Sequence, residues 1–596
     1  MDGSLTRIFD VITFQRLRYP NAGVMHFGNG QREMVYGIDA LWADIGRCAH
    51  WLREQNLRKG DHIFILAGAA SFPWFVLDFG CQIAGVIPII IPEYFPKEEI
   101  IHCIKSHSAS YFFHDRDDIW DIIPESMQNS GINWVTIQDR ELPGTISLES
   151  IVRATPRVDE VMLSQWCSAI KPEDTAFILK TSGSTGHPKS VCLSHQNILS
   201  NIQSVLPLTP LERHHRVVSF LPIAHIFERM VVYCYLTSGA TIYFFNTFGD
   251  AFRALPEVKP HFFSCVPRIL ERMYDDLLAR MHRFAWLRRI WIRLAIETGK
   301  RFGADIQKSP VYWLRWALID FTVFRQWRRK IGGQVKGILV GAAPLNPVIG
   351  RVFSAARIRI REGYGMTETS PVISFNRFEA GGNRFGTAGI PIPGIKVRIT
   401  GQDEAGNGSI EVSGPNVMKG YLEKEANDKV FTPDGWFITG DTGRLVHRRF
   451  LEITGRTAHA FKTSSGRFVL PDRISRILEE ETLIDKSIII GFQKPFVTAL
   501  IYPNFTYLQW WCEKQRVHWT AAAYMVHNPK VISAYKKVIE SRNFLLAGHE
   551  QVRQFTLLPI PWQEEELFTS LGKINPQLFF HKYAKEITGM YQNSNS

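Results

Sequence analysis

The chain has 596 residues, 45% hydrophobic and 21% charged, and its 69 lysines and arginines exceed 57 acidic residues for a net charge of +12. That length is more than one hydrophobic core organises, and the apolar content excludes a disordered chain, so at least two globular domains are expected. The eight cysteines are scattered without a C-x-x-C pair, and the opening MDGSLTRIFDVITFQRLRYPN lacks the apolar core of a secretory signal. This pattern predicts reduced thiols in a cytoplasmic protein.

In chain order, helical patterns alternate with short apolar runs: DHIFIL (61–66), TAFILK (175–180), RVVSFL (216–221), ATIYFF (240–245) and VKGILV (335–340). Such alternation predicts α/β layers with largely buried strands. Residues 64–92 are greasy, but Asp78, Pro73, Pro88 and several glycines interrupt the roughly 20 apolar residues that a spanning helix needs. A buried helix followed by a buried strand, VIPIII, is the expectation there. Between His282 and Lys330, twelve basic residues face only Glu297, Asp305 and Asp320, so this segment holds +9 of the net charge and five of the sixteen tryptophans. Phe284, Leu287, Trp291 and Leu294 fall at helical spacing between arginines. The segment either lies on an anionic membrane surface or packs on the main domain with a solvated basic face. No nucleic-acid-binding motif accompanies it, and no nucleic acid is expected as a partner.

From about residue 385 the texture changes to short strands with Gly/Pro turns, and beyond Gly455 a smaller mixed region runs to about Tyr591. The predicted fold is α/β: a large N-terminal domain (1–456) of layered α/β subdomains plus a β-rich subdomain, then a smaller α+β C-terminal domain (457–596).

Three motifs carry chemistry. In Thr181-Ser182-Gly183-Ser184-Thr185-Gly186-His187-Pro188-Lys189, a strand runs into a loop of hydroxyls and glycines that ends in lysine. Glycine lets backbone approach a phosphate, hydroxyls donate to its oxygens, and lysine adds a point charge. Two residues separate Gly186 from Lys189, and a strand pattern (SVCLSH) follows, which argues against a P-loop NTPase. In Glu362-Gly363-Tyr364-Gly365-Met366-Thr367-Glu368, the tyrosine between glycines can offer its ring face to a base, Thr367 can donate to phosphate, and Glu368 can ligate Mg²⁺. In Thr439-Gly440-Asp441 and Gly455-Arg456, an acid with an arginine beside it suits the two hydroxyls of a ribose.

Together these motifs resemble the adenylate-forming superfamily of acyl-CoA synthetases, luciferases and adenylation domains, in the family's order and over nearly the whole chain. The stretch Leu221-Pro222-Ile223-Ala224-His225-Ile226-Phe227-Glu228-Arg229 is similar to the long-chain fatty acid–CoA ligases in particular. So are Val266-Pro267-Arg268, the insertion before IGGQVKGILVGAAPL, and ALIYPNF (499–505). The resemblance implies that the 181–189 loop holds the β- and γ-phosphates of ATP, Tyr364 stacks on adenine, Thr367 touches the α-phosphate, and Glu368 binds Mg²⁺. It implies Asp441 and Arg456 for the ribose. It further implies an acyl chain passing His225, Phe263 and Gly341-Ala342-Ala343, and a catalytic Lys573 in Thr569-Ser570-Leu571-Gly572-Lys573. The C-terminal domain would rotate between half-reactions, bringing in a thiol-transfer face with Lys462 and Gly466.

Several positions depart from the family pattern. Lys180 replaces an aromatic residue, Ser190 stands where glycine usually follows the lysine, and Thr457-Ala458-His459-Ala460 lacks the usual acidic residue near the hinge. Ser465 and Leu571 also differ. Three functions follow: a long-chain acyl-CoA synthetase using ATP, Mg²⁺ and CoA; an acyl-adenylating ligase that delivers to a carrier protein; or a non-catalytic descendant that binds acyl chain or nucleotide.

Overall fold

The computed structural model describes residues 5–20, 24–28, 33–128, 131–138, 142–181, 188–281, 286–303, 309–562 and 576–592. Among the described residues, the N-terminal part is built on two large mixed sheets, of eight and nine strands, and a four-stranded antiparallel sheet. In the first, Tyr111–His114, His62–Leu66, Ile87–Ile91 and Thr175–Thr181 run parallel in that order. In the second, Thr241–Phe244, Arg216–Ser219, Phe262–Cys265, Gly337–Val340 and Ile360–Gly365 do the same. Parallel strands covered on both faces read as unbroken apolar runs, which is why all five runs picked out by sequence are strands. Lys396–Thr400, Gly408–Ser413, Phe437–Val446 and Phe450–Arg456 form the β-rich sheet.

The greasy 64–92 stretch is buried inside this frame. Helix Phe72–Ala84 starts at Ser71, whose hydroxyl accepts from the Trp74 N–H, and ends at Gly85 with φ +78°. Asp78 is fully buried on it and pairs with Arg229 of helix Ile226–Ser238, while the Tyr233 hydroxyl donates to Asp78 at 2.5 Å. No described helix is long and apolar enough to cross a membrane. The eight cysteines are unpaired, and six are buried.

The basic segment forms helices Trp286–Lys300 and Pro310–Ile319, a π-helical turn Asp320–Phe324, and helix Arg325–Lys330. Phe284 lies outside the described residues. Trp291 and Leu294 turn inward and pack, with Ile292, Ala295 and Ile296, on the core that includes Val352 and Phe353. This helix also reaches the C-terminal part: Arg293 lies 5.0 Å over the Trp510 ring, and Lys300 donates to the Thr482 hydroxyl at 3.1 Å. Of the two expectations for this stripe, packing on the main domain holds for Trp291 and Leu294. The exposed apolar stripe is on the next helix, where Val311, Leu314, Leu318 and Phe321 recur at helical spacing with 53–75% of their surface open.

Beyond Arg456, strands Ile484–Ile490, Val497–Pro503 and Val552–Leu557 carry helices Pro471–Glu479, Phe505–Lys514 and Pro529–Asn543 around a separate hydrophobic core.

Candidate active site

Strands Thr175–Thr181 and Lys189–Ser194 are antiparallel, with Thr181 opposite Lys189 and Lys180 opposite Ser190, so they bring the two ends of the hydroxyl loop together. Ser182, Gly183, Ser184, Thr185 and Gly186 lie outside the described residues. Lys189 aims its ammonium at the ring of Tyr421, 4.8 Å away, and the Tyr421 hydroxyl donates to Glu368 at 2.7 Å. Tyr421 enters from the short strand Gly420–Tyr421, which pairs with Lys189–Ser194.

The Gly-Tyr-Gly motif ends strand Ile360–Gly365. A Cβ on Gly365 would lie 1.8 Å from the Pro371 carbonyl oxygen, so only glycine lets the chain double back here. The Tyr364 hydroxyl donates to Asp441 at 2.7 Å, and Arg456 pairs with the same carboxylate at 3.1 Å. Asp441 and Arg456 are directly opposed on neighbouring strands. Burial raises the Asp441 pKa above the ordinary carboxylate value, against the pull of Arg456.

A cavity of about 740 Å³ brings together Thr181, Lys189, Tyr364, Thr367, Glu368 and Arg456 with His225, Gly341 and Ala342. Apolar side chains, among them Leu206, Met230, Val231, Cys234 and Phe375, line the same cavity. His225 precedes helix Ile226–Ser238 and stacks on Tyr94 with ring centres 5.2 Å apart. Its imidazole is open to the cavity but enclosed by protein, and that enclosure lowers its pKa below the usual histidine value. A Cβ on Gly341 would press on the Phe227 ring at 3.2 Å. Ala342 takes a left-handed φ of +69°, a conformation costing an L-residue about 1 kcal/mol.

Glu228 also faces this cavity; fully buried, its carboxyl accepts from the Ser219 and Ser264 hydroxyls at 2.6 and 2.5 Å, and burial pushes its pKa up to about 7. Two of the expected acyl contacts do not line this cavity: Ala343, and Phe263, which is core, packed with Val218, Phe220 and Val340, while Val266 from the following turn reaches the cavity wall. A second cavity, about 940 Å³, lies between the N-terminal part and the C-terminal part and touches Ala343, Tyr364, Asp441 and Arg456. Lys462 and Gly466 sit on the hairpin Phe461–Lys462/Phe468–Val469 and line neither cavity, and Lys573 lies outside the described residues.

With this geometry in view, likeness to known proteins is decisive. The family described as AMP-binding enzyme matches residues 15–422, and its C-terminal domain family matches residues 460–595. The chain belongs to the AMP-binding enzymes. Within them it falls in the long-chain-fatty-acid–CoA ligase branch. It is 28% identical over 574 residues to the Mycobacterium tuberculosis protein named long-chain-fatty-acid–CoA ligase FadD15, covering 93% of both chains. It is 31% identical to the human protein named long-chain-fatty-acid–CoA ligase 6, over 79% of this chain and 70% of that one. Its fold is that of ATP-bound MatB from Rhodopseudomonas palustris, with a TM-score of 0.69 at 22% identity, covering 96% of this chain and 99% of that one.

Where this AMP-binding enzyme departs from the family's sequence pattern, the structure supplies partners from elsewhere. Next to Thr457–Ala460, which lacks the family's usual acid, Asp472 at the start of helix Pro471–Glu479 accepts from the Arg456 N–H at 3.2 Å and meets the His459 ring at 2.9 Å. Lys180 and Ser190 share one partner, Glu423. Sequence reasoning missed Tyr421, Glu423 and Asp472. A buried lysine demands an acid, but no spacing points to one more than two hundred residues away.

Proposed function

We propose that this protein joins a long-chain fatty acid to ATP as acyl-AMP, releasing pyrophosphate, and then transfers the acyl group to the thiol of CoA. The observation that carries this reading is that one cavity is lined both by Lys189, Thr367 and Glu368 and by apolar side chains such as Leu206, Met230, Val231 and Phe375. A carboxylate and a triphosphate repel each other, so the site must neutralise charge while aligning a carboxylate oxygen with the α-phosphorus. Lys189 and the 181–186 hydroxyls and N–H groups hold the β- and γ-phosphates, Thr367 donates to the α-phosphate, and Lys573 bridges it to the fatty carboxylate. Tyr364 faces adenine, with Asp441 and Arg456 on the ribose. The Glu368 carboxylate, a hard oxygen donor beside the Thr367 hydroxyl, fits Mg²⁺; when bound, that ion would lower the charge on the phosphates. His225, on the wall of the same cavity, meets the carboxylate end of the acyl chain in this reading. The chain divides at Arg456 into an adenylating domain (1–456) and a C-terminal domain (457–596). The latter brings Lys462 and Gly466 to the acyl-AMP for the thiol step.

The test is pyrophosphate release with Mg-ATP across a fatty-acid length series, with and without CoA. Release that needs a long-chain acid and turns over only with CoA is expected. Release stalling near one equivalent with or without CoA would transfer the acceptor role to a carrier protein, and no release would refute adenylation.

The exposed stripe Val311, Leu314, Leu318 and Phe321 favours a second property of the same protein. It runs into Arg325, Arg329 and Lys330, all exposed, and an apolar helix face edged with arginines suits the boundary of an anionic bilayer. Segment 282–330 is thus a peripheral membrane contact through this stripe, with no spanning helix. Wild-type protein is expected to co-sediment with phosphatidylserine-containing vesicles, less so at high salt. Leu314→Asp with Phe321→Asp should abolish that binding, and undiminished binding by this variant would exclude the stripe.

A further inference from the structure

Lys180 is the next-to-last residue of strand Thr175–Thr181, one position before the hydroxyl loop begins, and only 2% of its side chain is exposed. Its ammonium lies 3.7 Å from Glu423. Ser190, opposite Lys180 on the returning strand, gives the same carboxylate two hydrogen bonds, from its N–H at 3.0 Å and its hydroxyl at 2.6 Å. Burial works against ionisation of Glu423, but the Ser190 donors and the Lys180 charge overcome it and hold its pKa below the usual glutamate value.

Glu423 stands two residues after Tyr421. Tyr421 is tied to the same hairpin, opposite Val191, and its hydroxyl holds Glu368. One carboxylate thereby connects both sides of the phosphate-loop base to the strand that orients the proposed metal carboxylate. A strand residue in this place needs only to be apolar to fill the sheet. A buried lysine with a matched acid adds a directional constraint, because the enclosed lysine does not tolerate loss of its acid.

We infer that Glu423, with Lys180 and Ser190, is a positioning residue for Mg-ATP: it fixes the base of the 181–189 loop relative to Glu368 across the hairpin and the strand Gly420–Tyr421. Ligand groups that act on a triphosphate and its metal must keep their separation to within about 0.5 Å. The inference rests on the adenylation reading and deepens it at the same site.

The experiment is calorimetric titration of the full-length protein with Mg-ATP in the absence of fatty acid, for wild type, Glu423→Gln, Lys180→Met and the double variant. Glu423→Gln keeps the shape and one acceptor for Ser190 but removes the charge. It is expected to raise the Mg-ATP dissociation constant about tenfold, the scale of one charge-assisted hydrogen bond. The double variant should lose no more than the larger single loss, since the two residues act as one unit. Conversion of supplied acyl-AMP to thioester should stay at the wild-type rate in all three variants. Additive losses, an equal loss in the thioester step, or a lowered melting temperature with unchanged ATP binding would each overturn the inference. Failure of the wild-type protein to bind Mg-ATP would instead strike the adenylation reading.

Discussion

The strand Thr175–Thr181 separates two buried cations that have been put to different uses. Successive side chains on a strand point to opposite faces. On one face Phe177 lies 3.7 Å under the Arg229 guanidinium, which is fully buried, pairs with Asp78, and donates through Nε to the Tyr233 hydroxyl at 2.9 Å. On the other face Lys180 pairs with Glu423, which is 42% exposed. The first pair joins helix Phe72–Ala84 to helix Ile226–Ser238 and is closed off by Trp74, Phe177 and Tyr233. The second stands at the base of the 181–189 segment, proposed above to hold phosphates. Complete enclosure makes an ion pair a fastener between elements, whereas half-enclosure at a loop base leaves it able to tune the loop.

The largest expected effect lies on the enclosed side. Asp78→Ala strands a guanidinium in the core, a loss of about 3–5 kcal/mol, because the remaining charge keeps its desolvation cost without its partner. Denaturant unfolding followed by tryptophan fluorescence reads this directly, since Trp74 lies 5.0 Å from the guanidinium. Asp78→Leu with Arg229→Met should recover most of the loss, as apolar replacements of buried pairs often do. A cost below about 1 kcal/mol for Asp78→Ala would put this pair with surface salt bridges and erase the contrast with Lys180. That contrast sharpens if Glu423→Gln, beside the loop, changes Mg-ATP affinity with little change in unfolding.

Much of this architecture was legible in the sequence because burial writes itself into composition. DHIFIL, TAFILK and VKGILV are continuous apolar runs since both faces of each strand are covered. Asp78 inside a greasy stretch argued against a membrane span before its partner was visible. Tyr364, Thr367, Glu368, Asp441 and Arg456 were legible as short motifs, because local backbone fixes their mutual placement. Partners distant in sequence were not. Glu423 is 233 residues from Ser190, and Asp472 reaches Arg456 and His459 from a helix whose start reads as an ordinary N-terminus. The stripe's partner stayed open for a related reason: Trp291 and Leu294 show the same amphipathic spacing as Leu314 and Leu318. Only packing decides which helix face the core takes.

A smaller effect tests a third way of managing buried charge. Glu228 is adjacent to Arg229 on the same helix and equally buried, yet its hydrogen-bond partners are the hydroxyls of Ser219 and Ser264. Without a cation to pair with, its pKa is pushed from 4.5 to about 7 by burial, against the two serine hydrogen bonds. Below pH 4.5 the carboxyl is neutral in both folded and unfolded chains and does not affect stability. Between 4.5 and about 7 the unfolded chain gives up the proton while the folded chain holds it, so stability falls as pH rises and levels off above that range. The full span is about 3 kcal/mol as an upper scale. Glu228→Gln removes the proton, so the variant's melting temperature should gain on wild type between pH 5 and pH 8. The gain should be largest at the alkaline end. An offset that stays constant across that interval would mean that Glu228 is ionised throughout. The wall of the acyl cavity would then carry a negative charge facing the incoming carboxylate, a placement that the proposed reaction disfavours.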